Sequence, residues 1–232
     1  PKSLLRKAIE TDRLASVILF GPPGTGKTTL AHCISQATHA YFVPLNAVMS
    51  NVAELRQVIQ QAKMRTRATA QKTILFIDEI HRFNKAQQDV LMPDIEDGSI
   101  TLIGATVMNP FFALTAPLLS RSLIFEFHSL SPESIAKLLE RALKDPERGL
   151  GRMKVSVEPA ALDFLSKITE GDARRSLNAL EIAVRSKAHP TAGAVKVSLK
   201  DAEASIQKKA VLYDRDEDEH YDTISAFIKS MR

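Results

Sequence analysis

The glycine-rich segment GPPGTGKTT, residues 21–29, limits the folds open to this chain more than any other feature. It matches the pattern G-x-x-x-x-G-K-[ST], with the apolar run SVILF at 16–20 before it and a segment of helical spacing at 27–38 after it. Glycines let the backbone wrap around a phosphate group, and the free N–H groups at a helix start donate hydrogen bonds to that group. The pattern therefore predicts a strand, a phosphate-binding loop and a helix in direct succession.

Each position of this loop has an expected role in holding a nucleotide, which we take to be ATP with Mg²⁺. Lys27 is expected to reach the β- and γ-phosphates, and the hydroxyl of Thr28 is expected to coordinate the metal ion. The alternative is a glycine-rich turn with a purely structural role. The predicted phosphate-binding residues are Gly21, Pro22, Pro23, Gly24, Thr25, Gly26, Lys27, Thr28 and Thr29.

Two adjacent carboxylates follow a second apolar run. The segment TILFI at 73–77 has no polar alternation, which is typical of a strand buried on both faces, and it runs directly into Asp78 and Glu79. Neighbouring carboxylates repel each other, so they need positive charge nearby, and Lys27 with a bound cation would supply it. We expect Asp78 to bind the Mg²⁺ shell and Glu79 to orient and deprotonate the attacking water. A solvated acid at a strand end is the alternative for Glu79.

Strand and helix patterns alternate over the first part of the chain. Strands are predicted at 16–20, 40–45, 73–77, 99–106 and 122–127. Helices are predicted at 3–14, 27–38, 52–64 and 84–96. This alternation indicates an α/β fold, with a parallel sheet covered by helices on both faces.

The pattern changes near residue 129. The segment SPESIAKLLERALK opens with Ser131 as the helix N-cap and Pro132 at the first helical position. Further helices are predicted near 158–169, 172–187 and 199–208, with a loop at 187–198 and no convincing long strand. We therefore expect an ATPase core at 1–128, a small all-helical domain at 129–210, and an acidic linker with the start of a further domain at 211–232.

Composition excludes several classes of protein. No apolar run approaches 18 residues, so no membrane span is expected. Cys33 is the only cysteine, which excludes an internal disulfide and fits a reducing interior compartment. The net charge of +4, with a pI of about 9.2, favours nucleic-acid binding only weakly.

Several blocks of sequence together resemble the AAA+ ATPases and, among them, the RarA/MgsA family. GPPGTGKT with FIDEIH resembles the AAA+ class, and the more specific blocks are DEIHRFNKAQQD, IEDGSITLIGAT, LLSRS, GDARRSLN and HYDTISAFIKSMR. The family comprises bacterial replication-associated recombination ATPases and is related to the eukaryotic Werner-interacting ATPase. The resemblance implies an AAA+ P-loop NTPase core followed by a helical lid, with DNA-dependent ATPase activity at stalled replication forks in recombination and replication restart.

The resemblance also assigns roles to two arginines. Arg121 in LLSRS matches the arginine finger, which enters the active site of the neighbouring subunit; a surface ion pair is the alternative reading. Arg174 in GDARR matches the lid arginine that senses the γ-phosphate, with Arg175 as its rival. Glu79, Arg121 and Arg174 form the expected catalytic set. Asn46, after a predicted strand, is either a restraint on the catalytic glutamate or an ordinary strand-end asparagine.

The chain departs from the family pattern where a polar residue should position the lytic water. Family members have GATTENP, whereas this chain has GATVMNP, so Val107 and Met108 replace a threonine and a glutamate. Either Thr106 or Asn109 takes over the role, or hydrolysis is slow. The chain also begins and ends inside apparent helices, so we expect a fragment that lacks part of the adenine pocket and the helical domain through which the family tetramerises.

DNA is the partner that the resemblance implies, at forks, single-strand/duplex junctions or ends. Arg82 and Lys85 follow the two acids, on a helix that faces the DNA backbone in related clamp loaders, and a solvated basic face is an equal alternative. His81 is expected to be structural or DNA-facing. A second basic group, more readily explained as a solvated face, comprises Lys63, Arg65, Arg67 and Lys72.

The resemblance implies further expectations about location and assembly, and several competing functions remain open. It implies a cytoplasmic, nucleoid-associated homo-oligomer, tetrameric at full length, that meets replication proteins such as single-strand-binding protein. The fragment itself is expected to be largely monomeric. The competing functions are a clamp-loader or branch-migration motor, an ATP-gated scaffold with little hydrolysis, which Val107 keeps open, and a small-molecule kinase, against which the adjacent acids and LLSRS argue.

Overall fold

The computed structural model describes residues 4–11, 14–187 and 194–206. The chain divides into two compact units, Pro1–Ser129 and Leu130–Arg232. Within the described ranges, no helix is long and apolar enough to cross a membrane.

The first unit is built on a five-stranded parallel sheet with the strand order β2-β3-β4-β1-β5. This order puts β1 in the interior of the sheet, between β4 and β5, and puts β3 beside β4. The strands are β1 (Ser16–Phe20), β2 (Tyr41–Asn46), β3 (Thr73–Asp78), β4 (Thr101–Thr106) and β5 (Ser122–Glu126). Since all five run parallel, their carboxyl ends meet at one edge, where ligands of open α/β sheets commonly bind.

Helices cover both faces of this sheet. Alternate residues of β3 enter two different apolar clusters: Ile74 and Phe76 pack with Ile34 of α2, whereas Leu75 and Ile77 pack with Leu55 of α3. The helices of this unit are α1 (Leu4–Glu10), α2 (Lys27–Ala37), α3 (Val52–Thr69), α4 (Lys85–Glu96), α5 (Pro110–Ala113) and α6 (Ala116–Ser120). The predicted fold class, a parallel sheet between helical layers, is confirmed.

The second unit is mainly helical, and its first helix begins as predicted. Pro132 occupies the first turn of α7, and the Ser131 side chain accepts a hydrogen bond from the Ser134 N–H. The helices are α7 (Pro132–Lys144), α8 (Pro159–Ile168), α9 (Ala173–Arg185) and a further helix that starts at 199 and is described through 206.

The second unit also contains a small sheet, which corrects the expectation of an all-helical domain. Strands β6 (Val155–Val157) and β7 (Val195–Val197) pair in parallel, so residues 195–197 are not loop as predicted. Val195 and Val197 point into the apolar core of the unit, and Lys196 between them is exposed. A three-residue alternation of this kind is too short to distinguish from a loop by pattern alone. The predictions for 211–232, including the HYDTISAFIKSMR block, lie outside the described residues.

Candidate active site

The phosphate loop connects β1 to α2 at the carboxyl edge of the sheet. Gly21, Gly24 and Gly26 have φ values of 139°, 68° and 96°, in the region that favours glycine. Gly26 is the N-cap of α2, and no side chain caps the helix there. A Cβ placed on Gly26 would meet no atom within 4 Å, so open space faces the start of the helix. The loop is therefore shaped to receive a phosphate group.

Lys27 lies within this loop rather than out in solvent. The residue is 9% exposed, and its Nζ donates hydrogen bonds to Gly21 O and Pro22 O, both at 2.7 Å. The Thr25 hydroxyl donates to Pro22 O at 2.9 Å, which closes the turn. The ammonium group is thus held by loop carbonyls at the position where a phosphate would enter.

We expect Gly21→Ala to remove ATP binding and to lower the unfolding temperature. An added Cβ would collide with the backbone carbonyl of Phe127, whose N–H donates to Phe20 O at 2.7 Å, and the φ of 139° would remain strained. The strain alone costs about 1–3 kcal/mol. Gly98→Ala is the matched control, because Gly98 also has a positive φ but a Cβ there meets nothing within 4 Å. The measurements are the unfolding temperature and the ATP affinity of both variants. Equal losses in Gly21→Ala and Gly98→Ala would contradict a role for the close approach of the Phe127 carbonyl to Gly21.

The two acids lie at the carboxyl end of β3, and β4 lies between this strand and β1, which leads into the phosphate loop. Asp78 is the last residue of β3, and its Oδ1 accepts a hydrogen bond from the Glu79 N–H at 3.1 Å. Glu79 has φ 55° and ψ 38°, a left-handed conformation that is uncommon for a residue with a side chain. The Arg82 N–H donates to Glu79 O at 2.8 Å and forms a short helical turn, Ile80–Arg82. This turn changes the direction of the main chain immediately after β3.

His81 proves to be part of this cluster, which the sequence did not predict. Its side chain is only 6% exposed, and its Nε2 lies 3.2 Å from Glu79 Oε2. Its Nδ1 lies 2.9 Å from Thr106 Oγ1, at the end of β4. Of the two expected roles of His81, this buried position favours the structural one over the DNA-facing one. The only sequence signal was the spacing Glu-x-His, which is too common to be informative.

Thr106 lies at the centre of the contacts at this edge. It is 1% exposed, its carbonyl accepts the Gly21 N–H at 3.1 Å, and its Oγ1 accepts the Met108 N–H at 3.0 Å. Asn109, the other candidate for positioning the lytic water, uses its Oδ1 to accept the Phe111 N–H and caps α5. Val107 is 45% exposed. Both side chains are thus engaged within the chain, since Thr106 Oγ1 also contacts His81 Nδ1, and the choice between Thr106 and Asn109 for positioning the lytic water remains a prediction.

The Asn46 side chain is used locally. Its Oδ1 accepts the Val48 N–H at 2.9 Å and closes the turn after β2. An ordinary asparagine at a strand end makes this kind of contact, so the geometry agrees with that role rather than with a restraint on Glu79.

Arg121 makes a surface ion pair within its own chain. Its Nε lies 2.6 Å from Glu96 Oε1, and its Nη1 donates to Pro117 O at 3.1 Å. The Arg121 side chain is 41% exposed. Exposed pairs of this kind contribute about 0–1 kcal/mol, so Glu96 would not prevent Arg121 from engaging a phosphate. The role of arginine finger remains a prediction.

Arg174 lies in the second unit, as the second residue of α9, and is exposed. The neighbouring Arg175 donates its backbone N–H to the Asp172 side chain, which caps the helix. The γ-phosphate-sensing role of Arg174 remains a prediction.

The two predicted basic groups differ in whether their side chains make contacts within the chain. Arg82 and Lys85 are exposed, and the capping box of Asn84 and Gln87 places Lys85 at the first position of α4, near the positive end of the helix dipole. In the second group, Lys63 lies 2.5 Å from Asp94, and this hydrogen bond raises the Lys63 pKa.

Arg65 is engaged in a similar way. Its guanidinium lies 3.6 Å from the centre of the Tyr41 ring, and its Nη1 donates to Thr73 Oγ1 at 2.8 Å. Together with the Lys63 pair, these contacts give two members of the second basic group structural roles. Arg82 and Lys85 are therefore the better candidates for DNA contacts.

The residues present fit ATP and Mg²⁺. The open space at Gly26, the uncapped start of α2 and the Lys27 ammonium offer donors and positive charge to a polyphosphate. Thr28 and Asp78 provide a hydroxyl and a carboxylate, the hard oxygen ligands that Mg²⁺ prefers alongside phosphate oxygens and water.

Comparison with known proteins gives a consistent picture. The model of the ATPase family associated with various cellular activities (AAA) matches residues 17–130, and that of the AAA C-terminal domain matches residues 151–232. An AAA domain-containing protein of Mycobacterium tuberculosis is 50% identical over 100% of this chain and 50% of its own length. Replication-associated recombination protein A of Bacillus subtilis is 43% identical over 99% of this chain and 53% of its own length. The chain thus spans about half the length of the curated relatives it matches.

A solved structure is similar as well. The RuvB Holliday junction branch migration motor of Thermotoga maritima has a TM-score of 0.68 and 26% identity, with 88% of this chain and 65% of that chain covered. The resemblance predicted from the sequence motifs is confirmed by these comparisons.

Proposed function

The chain belongs to the AAA family of ATPases, and on that basis we propose that the full-length protein is a DNA-dependent ATPase acting at stalled replication forks in recombination and replication restart. The observation that carries the ATPase part is the convergence of the phosphate loop, Asp78, Glu79 and Thr106 at the carboxyl ends of three neighbouring strands. The DNA part is supported by the similarity to replication-associated recombination protein A over nearly the whole chain.

Each residue has a distinct task in the proposed hydrolysis. The backbone N–H groups at the start of α2 and the Lys27 ammonium hold the β- and γ-phosphates. Thr28 and Asp78 hold Mg²⁺, which neutralises charge on the phosphate oxygens when bound. Glu79 orients a water molecule and accepts its proton, and either Thr106 or Asn109 positions that water. Hydrolysis then transfers the γ-phosphoryl group to water and leaves ADP.

Assembly completes the proposed site. Arg121 reaches the γ-phosphate held by a neighbouring subunit, and Arg174 approaches the nucleotide held by its own subunit, so that both stabilise charge in the transition state. This arrangement requires a homo-oligomer, and we propose a tetramer at full length. We further propose a cytoplasmic, nucleoid-associated protein that meets single-strand-binding protein at replication forks.

A branch-migration motor is the second candidate function. The similarity to the RuvB motor, with a TM-score of 0.68, favours it specifically. The proposed fork function is preferred because the sequence identity to replication-associated recombination protein A is higher and extends over nearly the whole chain. An ATP-gated scaffold with little hydrolysis is the outcome if turnover is absent.

The test is steady-state ATP hydrolysis by the full-length protein with Mg²⁺, measured without DNA and with single strands, blunt duplexes, gapped duplexes and forks. We expect hydrolysis that is accelerated by at least one DNA structure that presents a junction or an end. A Lys27→Ala preparation, purified identically, measures any contaminating ATPase. Equal rates with and without every DNA would contradict the DNA-dependent part, and no rate above the Lys27→Ala background would favour the scaffold.

Replacing both Arg82 and Lys85 with alanine is expected to weaken DNA binding about equally for all sequences. Each lost phosphate contact reduces the slope of log affinity against log salt concentration by about one, so the double variant should lose roughly two units. The measurement is DNA affinity at several salt concentrations. Arg152→Ala with Lys154→Ala is the matched control, since it removes the same charge from exposed positions in the second unit. A slope that changes equally in both double variants, or in neither, would leave only the solvated-face reading.

A further inference from the structure

A continuous series of polar contacts joins Glu79 to the end of β4. The Met108 N–H donates to Thr106 Oγ1 at 3.0 Å, and that oxygen lies 2.9 Å from His81 Nδ1. On the other side of the ring, His81 Nε2 lies 3.2 Å from Glu79 Oε2. Because the His81 side chain is 6% exposed and Thr106 is 1% exposed, water has little access to the contact between them, whereas the Glu79 side chain is 36% exposed.

We propose that His81 is a positioning residue for catalysis, which holds the Glu79 carboxylate in a fixed place relative to Thr106 and the phosphate loop. The proposal rests on the proposed ATPase function. It adds that the water-activating carboxylate is oriented by a histidine from its own short turn, and that the histidine is in turn fixed by the adjacent strand.

The hydrogen-bonding pattern favours one tautomer of His81. The Thr106 oxygen already accepts the Met108 N–H, so its own hydrogen is available for the ring nitrogen at 2.9 Å. The competing acceptor, Met108 O, is 3.4 Å away and therefore a weaker partner. With Thr106 donating to Nδ1, the ring hydrogen lies on Nε2, the nitrogen that faces Glu79. The protonated ring nitrogen is then the one that lies 3.2 Å from Glu79 Oε2.

The backbone provides the second constraint on Glu79. Its left-handed conformation and the Arg82 N–H bond to its carbonyl fix the direction in which its side chain leaves the main chain. The His81 contact fixes the far end of the same side chain. Thr106 also accepts the Gly21 N–H, so one residue links the histidine to the phosphate loop. A base that is oriented by a third group in this way is held in position before the substrate arrives.

The experiment compares His81→Phe, His81→Gln and wild type in the full-length protein. Phenylalanine keeps the buried ring volume and removes both nitrogens, whereas glutamine keeps a donor near the position of Nε2. His32→Gln is the matched control, because His32 is an exposed histidine on α2. The affinity for a non-hydrolysable ATP analogue with Mg²⁺ and the single-turnover rate of ATP hydrolysis are both measured.

We expect His81→Phe to reduce the hydrolysis rate roughly 10- to 100-fold, the usual effect of removing a group that orients a reacting residue. Nucleotide affinity should change less than about threefold, and His81→Gln should recover part of the rate. In a Glu79→Gln background, His81→Phe should cause no further loss, because no base remains to be positioned. This lack of additivity is the result that a merely structural histidine would not produce.

Three outcomes would overturn the proposal: an unchanged rate in both His81 variants, an equal loss of analogue affinity and rate, or a further loss in the Glu79→Gln background. If His81→Phe fails to fold, His81→Gln decides, since a rate equal to wild type together with additivity at Glu79 would also overturn it. Failure of the underlying ATPase function looks different, because wild-type protein would then show no hydrolysis above the Lys27→Ala background.

Discussion

Replacing Arg121 with alanine in the full-length protein is expected to leave ATP binding intact and to lower turnover about 10³-fold or more, the scale of an arginine finger. Arg121 lies outside the phosphate loop of its own chain and makes exposed contacts with nearby surface groups, an ion pair with Glu96 and hydrogen bonds to Pro117 O and Ser120 Oγ. Its loss therefore removes charge stabilisation from a neighbour's transition state without disturbing the neighbour's ground-state contacts to ATP. Analogue affinity and steady-state turnover are the two measurements.

Arg185→Ala is the matched control for this prediction. Arg185 is also an exposed arginine in an ion pair, with its Nε 2.7 Å from Glu181 Oε1. Loss of such a pair costs about 0–1 kcal/mol of stability, so Arg185→Ala should leave turnover unchanged. If Arg121→Ala behaves like Arg185→Ala, then Arg121 is a surface residue whose ion pair with Glu96 is its whole role.

Mixing tests whether Arg121 acts between subunits. Full-length Arg121→Ala and full-length Lys27→Ala should each be nearly inactive alone. In a mixed oligomer, some interfaces pair an intact phosphate loop with an intact Arg121 from the neighbour, so activity should partly return. If the subunits demonstrably exchange and no activity returns, the action in trans is wrong.

Lys27→Ala is expected to weaken ATP binding about 10²- to 10³-fold, the effect of leaving buried charge without its partner. Its ammonium is the cation of the loop, and it also donates to Gly21 O and Pro22 O, so its removal costs the phosphates their charge partner and loosens the loop that holds them. Titration with ATP and Mg²⁺ measures the loss. Unfolding temperatures of the variant and wild type distinguish a local effect from general destabilisation, which would lower both readouts.

The core of the fold could be predicted from the sequence because its signals are local. The phosphate loop and the apolar runs at 16–20 and 73–77 each combine a strong pattern with a sharp boundary, and the structure places strands there. Helix α3 was harder, since it continues to Thr69, beyond the predicted end at residue 64. The added turn is polar, and its end depends on Ala70 in a left-handed conformation, which no residue preference indicates.

The internal organisation of the site could not be predicted, because it depends on contacts distant in sequence. His81 and Thr106 are 25 residues apart, and they meet only because β3 and β4 are adjacent in the sheet. The left-handed Glu79 is likewise invisible in the sequence, since glutamate rarely adopts that conformation. The sequence thus predicted which two acids belong to the site, but it did not predict the orientation of their side chains.

The departure at Val107 shows the same limit. The sequence left Thr106 and Asn109 as equal candidates to place the lytic water. In the structure the Asn109 side chain caps α5, and the Thr106 hydroxyl contacts His81 and the Met108 N–H. Both residues have the right chemistry and both are engaged within the chain, so the choice between them remains a prediction.

ATP binding by full-length Glu79→Gln, compared with Lys27→Ala under the same conditions, tests hydrolysis at this site most directly. Glutamine keeps the shape of residue 79 and leaves the Asp78 and Thr28 oxygens in place, but it cannot accept the proton of the attacking water. Glu79→Gln should therefore bind ATP with about wild-type affinity and turn over at least about 10²-fold more slowly, whereas Lys27→Ala should bind ATP about 10²- to 10³-fold more weakly. Equal loss of ATP affinity in both variants, or wild-type turnover by Glu79→Gln, would contradict the separate roles of the loop lysine and the catalytic carboxylate.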